Sequence, residues 1–322
     1  MERRGTATPR SAHKSALCAA PGARRSPGQV FVMGMSRSGS SLTTSIVASL
    51  LGGGPETWRG SGAALASDTA NSHGYFERAD AVSLNYRSFV LKLPGFGPSW
   101  TSFPLGWASD PRALVVPNES AAVQDFRSRA AKIVADMRKQ SRGQPWVLKD
   151  VRFARTLPLW WPLVEPPSAC LIPVRHPAEV AESSIMGSTE LWRNYMLSAL
   201  VTARTLGCPT MLIRYDQWLS DGAPDSGRSA LNSTGARRQL AGVLAFLRCA
   251  GLQGLPREPP YAALAQLVRH DSYHHRTSLR DGSPQGRVLT RAVRCLWDEV
   301  RSGRALSWPW DARLRRFHPL PC

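Results

Sequence analysis

Gln29-Val30-Phe31-Val32-Met33-Gly34 runs into Met35-Ser36-Arg37-Ser38-Gly39-Ser40-Ser41, and apolar residues then recur at 42, 46, 47, 50 and 51. A short apolar run closed by glycine, a tight turn and a segment of helical period read as strand, loop, helix. The same alternation returns downstream. Pro145–Lys149 (PWVLK), Ala169–Val174 (ACLIPV) and Thr210–Tyr215 (TMLIRY) are further strand candidates. Between and around them, 77–91, 120–138, 157–164, 178–186, 190–206 and 236–249 carry helical periodicity. Continuous apolar strands separated by helices are what a parallel sheet covered on both faces requires. The expected fold is therefore α/β, in three layers, with a central parallel sheet and helices on both faces. Lys149 closes a strand that should lie beside the first one.

The loop has a chemical reading of its own. Gly34 and Gly39, five positions apart and followed by hydroxyls, make a turn whose backbone N–H groups converge on a phosphate, helped by the positive end of the following helix. The spacing is that of the phosphate loop of kinases, except that Ser40 stands where the lysine would be. The cation of this loop is Arg37. A second anion contact is offered by Arg175-His176-Pro177, directly after a strand, with Ser183 eight residues beyond the arginine. Pro177 suits the first turn of a helix. An arginine at a strand end and a hydroxyl on the next helix can hold a second phosphate from two sides. A kinase-type magnesium site would want an aspartate at this strand end, and Asp216 after TMLIRY is a weak substitute.

Together these residues resemble the sulfotransferase family that uses 3′-phosphoadenosine 5′-phosphosulfate (PAPS). Arg37-Ser38-Gly39-Ser40-Ser41-Leu42 is similar to its 5′-phosphosulfate loop, and Arg175, Pro177 and Ser183 to its 3′-phosphate motif. Gly74-Tyr75-Phe76-Glu77, Lys149-Asp150-Val151-Arg152 and Arg214-Tyr215-Asp216-Gln217-Trp218 resemble segments of the carbohydrate, tyrosylprotein and bacterial branch. The matches span residues 29–250 in the family's order. The resemblance implies a nucleotide-kinase-like fold and PAPS as sulfuryl donor. It implies donor binding by Gly34, Arg37, Ser38, Gly39, Ser40, Ser41, Leu42, Arg175, Ser183 and Tyr215. It also implies Lys149 beside the sulfuryl group, Arg37 at the leaving phosphate and no metal. For the general base it favours Glu77, with Asp150 next, then Glu56 and His73. The acceptor would be a small molecule or carbohydrate carrying a hydroxyl or amine.

The bulk properties bound the rivals. The length of 322 residues fits one large α/β domain from residue 29 onward, and 43% hydrophobic with 20% charged residues is an ordinary globular composition. The formal charge of +18 suits an anionic partner, nucleic acid included, but does not choose among them. Nucleic acid is not expected. A kinase-like phosphotransferase and a nucleotide-binding protein without turnover are the alternatives. Residues 1–28 carry six Arg or Lys against one acid and read as a disordered basic tail or a transit peptide. No run reaches the ~18 apolar residues of a membrane span. Six cysteines without CxxC pairs, two of them inside apolar strands, read as reduced thiols. The expected location is cytoplasmic, or an organelle. His270, His274 and His275 lack the carboxylate of a metal motif.

Overall fold

The computed structural model describes residues 28–52, 76–90, 120–183, 188–218, 234–265, 267 and 289–307. Four strands, β1 (Gln29–Val32), β2 (Trp146–Lys149), β3 (Ser168–Val174) and β4 (Thr210–Arg214), form an all-parallel sheet in the order β2-β1-β3-β4. Gln29 faces Trp146 on one side and Ser168 on the other, and Val174 faces Arg214, so the strand ends at Val32, Lys149, Val174 and Arg214 lie along one edge of the sheet. This is the crevice-bearing edge of an open α/β sheet, where the chain leaves each strand.

The helices follow the strands. They are α1 (Ser40–Leu50), α2 (Ala79–Val90), α3 (Ala121–Gln140), α4 (Phe153–Trp160), α5 (Pro177–Ser183), α6 (Thr189–Thr205), α7 (Thr234–Cys249), α8 (Tyr261–Ala265) and α9 (Arg291–Arg301). Side chains alternate across each strand, and the sheet accordingly has two apolar faces. Phe31, Leu148, Cys170 and Ile172 pack with α3, α4, α6 and α9. Val30, Val32, Val147 and Leu171 pack with α1 and α7. Side-chain caps set helix starts: Ser120, Ser188 and Thr290 accept from the N–H groups of Val123, Leu191 and Val293. Beside β4, Gln239 of α7 both accepts from the N–H of Arg214 and donates to its carbonyl, each at 2.9 Å, standing in for a further strand.

The α/β architecture with a parallel central sheet agrees with the sequence reading, and β2 does lie beside β1. Two points differ. The helices α8 and α9, in a stretch without readable period, complete the fold, with Leu296 and Val300 of α9 buried in the core. The cysteines are not reduced thiols: Cys170 on β3 and Cys208 just ahead of β4 form a disulfide, with Cα atoms 6.1 Å apart. Adjacent parallel strands bring the two residues within bridging range although 38 positions separate them in sequence. Cys249 and Cys295 are also disulfide-bonded, and no described cysteine is free. Among the described residues, no helix is long and apolar enough to cross a membrane, and no group of three or more His, Cys, Asp or Glu could hold a metal. His270, His274 and His275 lie outside the described residues.

Candidate functional site

The loop between β1 and α1 is shaped by its own hydroxyls and by the strand next door. The buried Ser38 donates both its N–H (3.4 Å) and its hydroxyl to the carbonyl of Met35, closing the turn. Gly39 caps α1 with φ 91°, a left-handed conformation that costs glycine nothing. A Cβ there would also come within 2.2 Å of the Tyr215 ring, so the loop and the end of β4 approach as closely as they do only because position 39 lacks a side chain. The cap provides no side-chain acceptor, and the first turn of α1 holds no acid. The first N–H groups of α1 therefore receive no side-chain cap from position 39, and with the helix dipole they make an anion seat. Arg37 adopts φ 66°, sparsely populated for a side-chain-bearing residue.

From β3, the Arg175 guanidinium reaches this loop. Its Nη1 donates to the Arg37 carbonyl at 3.3 Å, and its Nε donates to Glu179 Oε2 at 2.9 Å, in the first turn of α5. It also lies 4.9 Å from the centre of the Tyr215 ring. Burial pushes the Tyr215 hydroxyl above the usual phenol range, partly offset by Arg175. Tyr215 therefore acts as a neutral platform that fixes the arginine and the Gly39 turn. Ser183 ends α5, and its side chain lies outside the described residues.

From β2, Lys149 reaches the same loop from the opposite side. Its Nζ donates to Ser41 Oγ at 3.1 Å and pairs with Glu77 Oε1 at 2.9 Å. Both partners are buried, with side chains 3% and 8% exposed. The position of Glu77 is set by its neighbours. Phe76 is left-handed (φ 52°), and Arg78 is ion-paired to Asp80 at 2.7 Å and to Asp136 of α3 at 2.8 Å. Burial raises the Glu77 carboxyl above the usual carboxylate range, opposed chiefly by Lys149 and reinforced by Asp150.

Asp150 has a different occupation. It is wholly buried, and its oxygens accept from Asn85 Nδ2 (2.7 Å), the Arg152 N–H (2.8 Å) and Arg152 Nη1 (2.9 Å). Asn85 in turn accepts from Trp160 Nε1 at 2.8 Å. This chain ties α2, the end of β2 and α4 together. Asp150 is thus engaged by α2 and by Arg152, whereas Glu77 is linked to the loop through Lys149.

The structure thus brings Gly34, Arg37–Leu42, Lys149, Glu77, Arg175 and Tyr215 to one edge of the sheet. Leu42 packs against the α1–α7 core, and Ser40 is buried, its carbonyl accepting from Thr44 Oγ1 at 2.7 Å. Glu56 and His73 fall outside the described residues. Asn85 and Glu179 were not singled out from sequence, and Arg152 only as the last residue of the Lys149–Arg152 segment. Glu179 had a readable signal, its i,i+4 spacing from Arg175. Asn85 had a fainter one, an amide on the α2 face that also carries the buried Ala81 and Leu84. Compared with family models, curated proteins and solved structures, the chain has no match. The resemblance to sulfotransferases rests on the motif residues and on their order along the chain.

Proposed function

We propose that the chain transfers the sulfuryl group of PAPS to an acceptor hydroxyl or amine. The observation that carries this reading is the convergence of two buried cations, from the ends of the two strands flanking β1, on the uncapped N-terminus of α1. In the transfer, the bond from sulfur to the 5′-phosphate oxygen breaks as sulfur bonds to the acceptor oxygen or nitrogen. The electron pair leaves on the 5′-phosphate, and the acceptor proton goes to Glu77. The N–H groups of residues 40–42, Lys149 and Arg37 would offset the charge gathering on the leaving phosphate, as such groups do in phosphoryl transfer. Arg175, held between Glu179 and Tyr215, would meet the 3′-phosphate.

A phosphotransferase fits less well, because Ser40 occupies the lysine position of the kinase loop and β3 ends in Arg175 rather than an acid. The disulfide-bonded cysteines favour an oxidising compartment over the cytoplasm. The deciding measurement is calorimetric titration with 3′-phosphoadenosine 5′-phosphate and with ATP, followed by a screen of sugar, phenol, alcohol and amine acceptors with labelled PAPS. Selective binding of the 3′-phosphorylated nucleotide and label transfer are expected. Selective binding with no transfer to any acceptor would leave a nucleotide-binding protein, and a preference for ATP would overturn the reading.

A further inference from the structure

Lys149 stands between two acceptors that belong to different parts of the reaction. One is Ser41 Oγ in the first turn of α1, the other Glu77 Oε1 ahead of α2. An ammonium has three N–H donors and can serve both at once. A phosphate or phosphosulfate on the α1 N-terminus would lie on the Ser41 side of that ammonium and would compete with Glu77 for it. The pair is buried on both sides, so Glu77 cannot lose its cation without gaining something in return: a proton, or a hydrogen bond from an incoming acceptor.

We propose that Lys149 is an exchange lysine, neutralising Glu77 while the loop is empty and turning to the donor's 5′-phosphosulfate when the loop is filled, which frees the Glu77 carboxylate for the acceptor's proton. This rests on the reading of the loop as the 5′-phosphosulfate site. It makes the base responsive to the donor: Glu77 becomes effective only after PAPS has bound. The contrast with Arg175 supports the assignment. Arg175 is tied to a carboxylate four positions on, in the first turn of α5, whereas Lys149 is tied to one 72 positions away in sequence, on the segment ahead of α2.

The groups facing Glu77 give the exchange a sign. They are Lys149 and Asp150 at the end of β2, Arg152 ahead of α4, and Tyr195 on α6. With Lys149 drawn away, burial and Asp150 push the Glu77 carboxyl upward with only Arg152 left opposing, and a bound phosphate adds to the push. The Glu77 carboxyl is then raised further, which strengthens it as a general base. Some molecules take a proton from solvent on donor binding. In the rest, the carboxylate accepts the acceptor's proton, which returns to solvent when the product nucleotide leaves and Lys149 swings back.

The test is the number of protons taken up when 3′-phosphoadenosine 5′-phosphate binds the full chain. It is measured calorimetrically just below neutral pH in two buffers of different ionisation enthalpy. The nucleotide's own phosphates contribute equally to the wild type and to Glu77→Gln, so the difference reports Glu77. The wild type is expected to take up a further fraction of a proton that the variant does not. Should Glu77→Gln fail to fold, the unaltered protein supplies the same readout: a protonated-carboxyl infrared band that grows on adding the nucleotide and not on adding adenosine. Equal proton counts, or no such band, with the nucleotide bound, would overturn the exchange and leave the nucleotide site standing. A wild type that does not bind the nucleotide at all would overturn the site and the exchange together.

Discussion

The two flanks of the α1 N-terminus carry the same elements in different arrangements. Each has a buried cation at a strand end and a carboxylate paired to it at 2.9 Å. On the β3 flank the carboxylate is Glu179, one helical turn from Arg175, with the Tyr215 ring behind the guanidinium. On the β2 flank it is Glu77, brought in by α2 and held there by Arg78 on α3's Asp136. A pair built within one turn is made whenever α5 forms and has little freedom to part. A pair assembled from distant segments depends on tertiary packing and can be exchanged. The β3 flank therefore suits holding a ligand, and the β2 flank suits chemistry.

The sharpest way to break this division is at the two carboxylates of the β2 flank. Glu77→Gln is expected to lower kcat by roughly 10²–10⁴ while donor affinity, measured by calorimetry, is unreduced or rises, because the competitor for Lys149 has lost its charge. Asp150→Asn should act on the fold instead. It removes the charge that Arg152 meets in the interior, and loss of one partner of a buried pair costs about 3–5 kcal/mol. A denaturant midpoint shifted by that amount, with turnover per folded molecule near normal, is the expected result. Normal turnover in Glu77→Gln together with a folded, donor-binding but inactive Asp150→Asn would exchange the two roles.

That distinction was not legible in the sequence. Lys149-Asp150-Val151-Arg152 reads as a charged strand end, and Asp150 ranks behind Glu77 as base only through the family resemblance, with Asp150 still a candidate. Only the packing shows Asp150 held by Asn85 and Arg152 and Glu77 paired with the lysine that reaches the loop. What was legible came from local pattern. The four strands are short apolar runs, and the helices at 40–50 and 121–140 have clean periodicity, so their positions read to within a few residues. The Cys170–Cys208 bridge was hidden because neither residue has a nearby partner in sequence, and both look like small apolar residues in or beside strands. The α9 helix was hidden by its own charge: Arg291, Arg294, Asp298, Glu299 and Arg301 dominate the segment, and its buried residues, among them Val293, Leu296 and Val300, make a narrow stripe.

On the β3 flank the expected effect is smaller and falls on binding alone. Arg175→Ala should cost about 2–4 kcal/mol in affinity for 3′-phosphoadenosine 5′-phosphate, the scale for truncating a charge-assisted contact. Affinity for adenosine 5′-phosphosulfate, which lacks the 3′-phosphate, should change far less. Equal losses for both ligands would mean that Arg175 acts through the Arg37 carbonyl and the shape of the loop rather than through the 3′-phosphate, and the proposed division between the flanks would lose its binding half.

The smallest effect expected is one of pH, and it opposes the two flanks in sign. His176, next to Arg175, has its ring edge-on to Trp297 of α9 at 5.1 Å, and its Nδ1 accepts from the Ala178 N–H at 3.3 Å. Burial, aided by Arg301 and resisted by Glu179, holds its pKa below the ordinary value. The unfolded chain thus binds a proton near pH 6.5 where the folded one does not. The stability this residue supports is intact above that pH and declines as pH falls towards the folded value. Glu77 runs the other way. Its carboxyl is raised, so the cost of burying it is present at neutral pH and disappears on acidification. For His176 the loss should be small, because the ring is partly exposed and solvent screens it. Protonation at Nδ1 also ends its acceptance of the Ala178 N–H, so the loosening should begin where α5 starts and α9 rests on it. His176→Gln should flatten the decline in denaturant midpoint between neutral pH and about pH 5.5 relative to wild type. A decline of the same slope in the variant would place the acid sensitivity elsewhere and remove His176 as the group that links α9 to the Arg175 strand end.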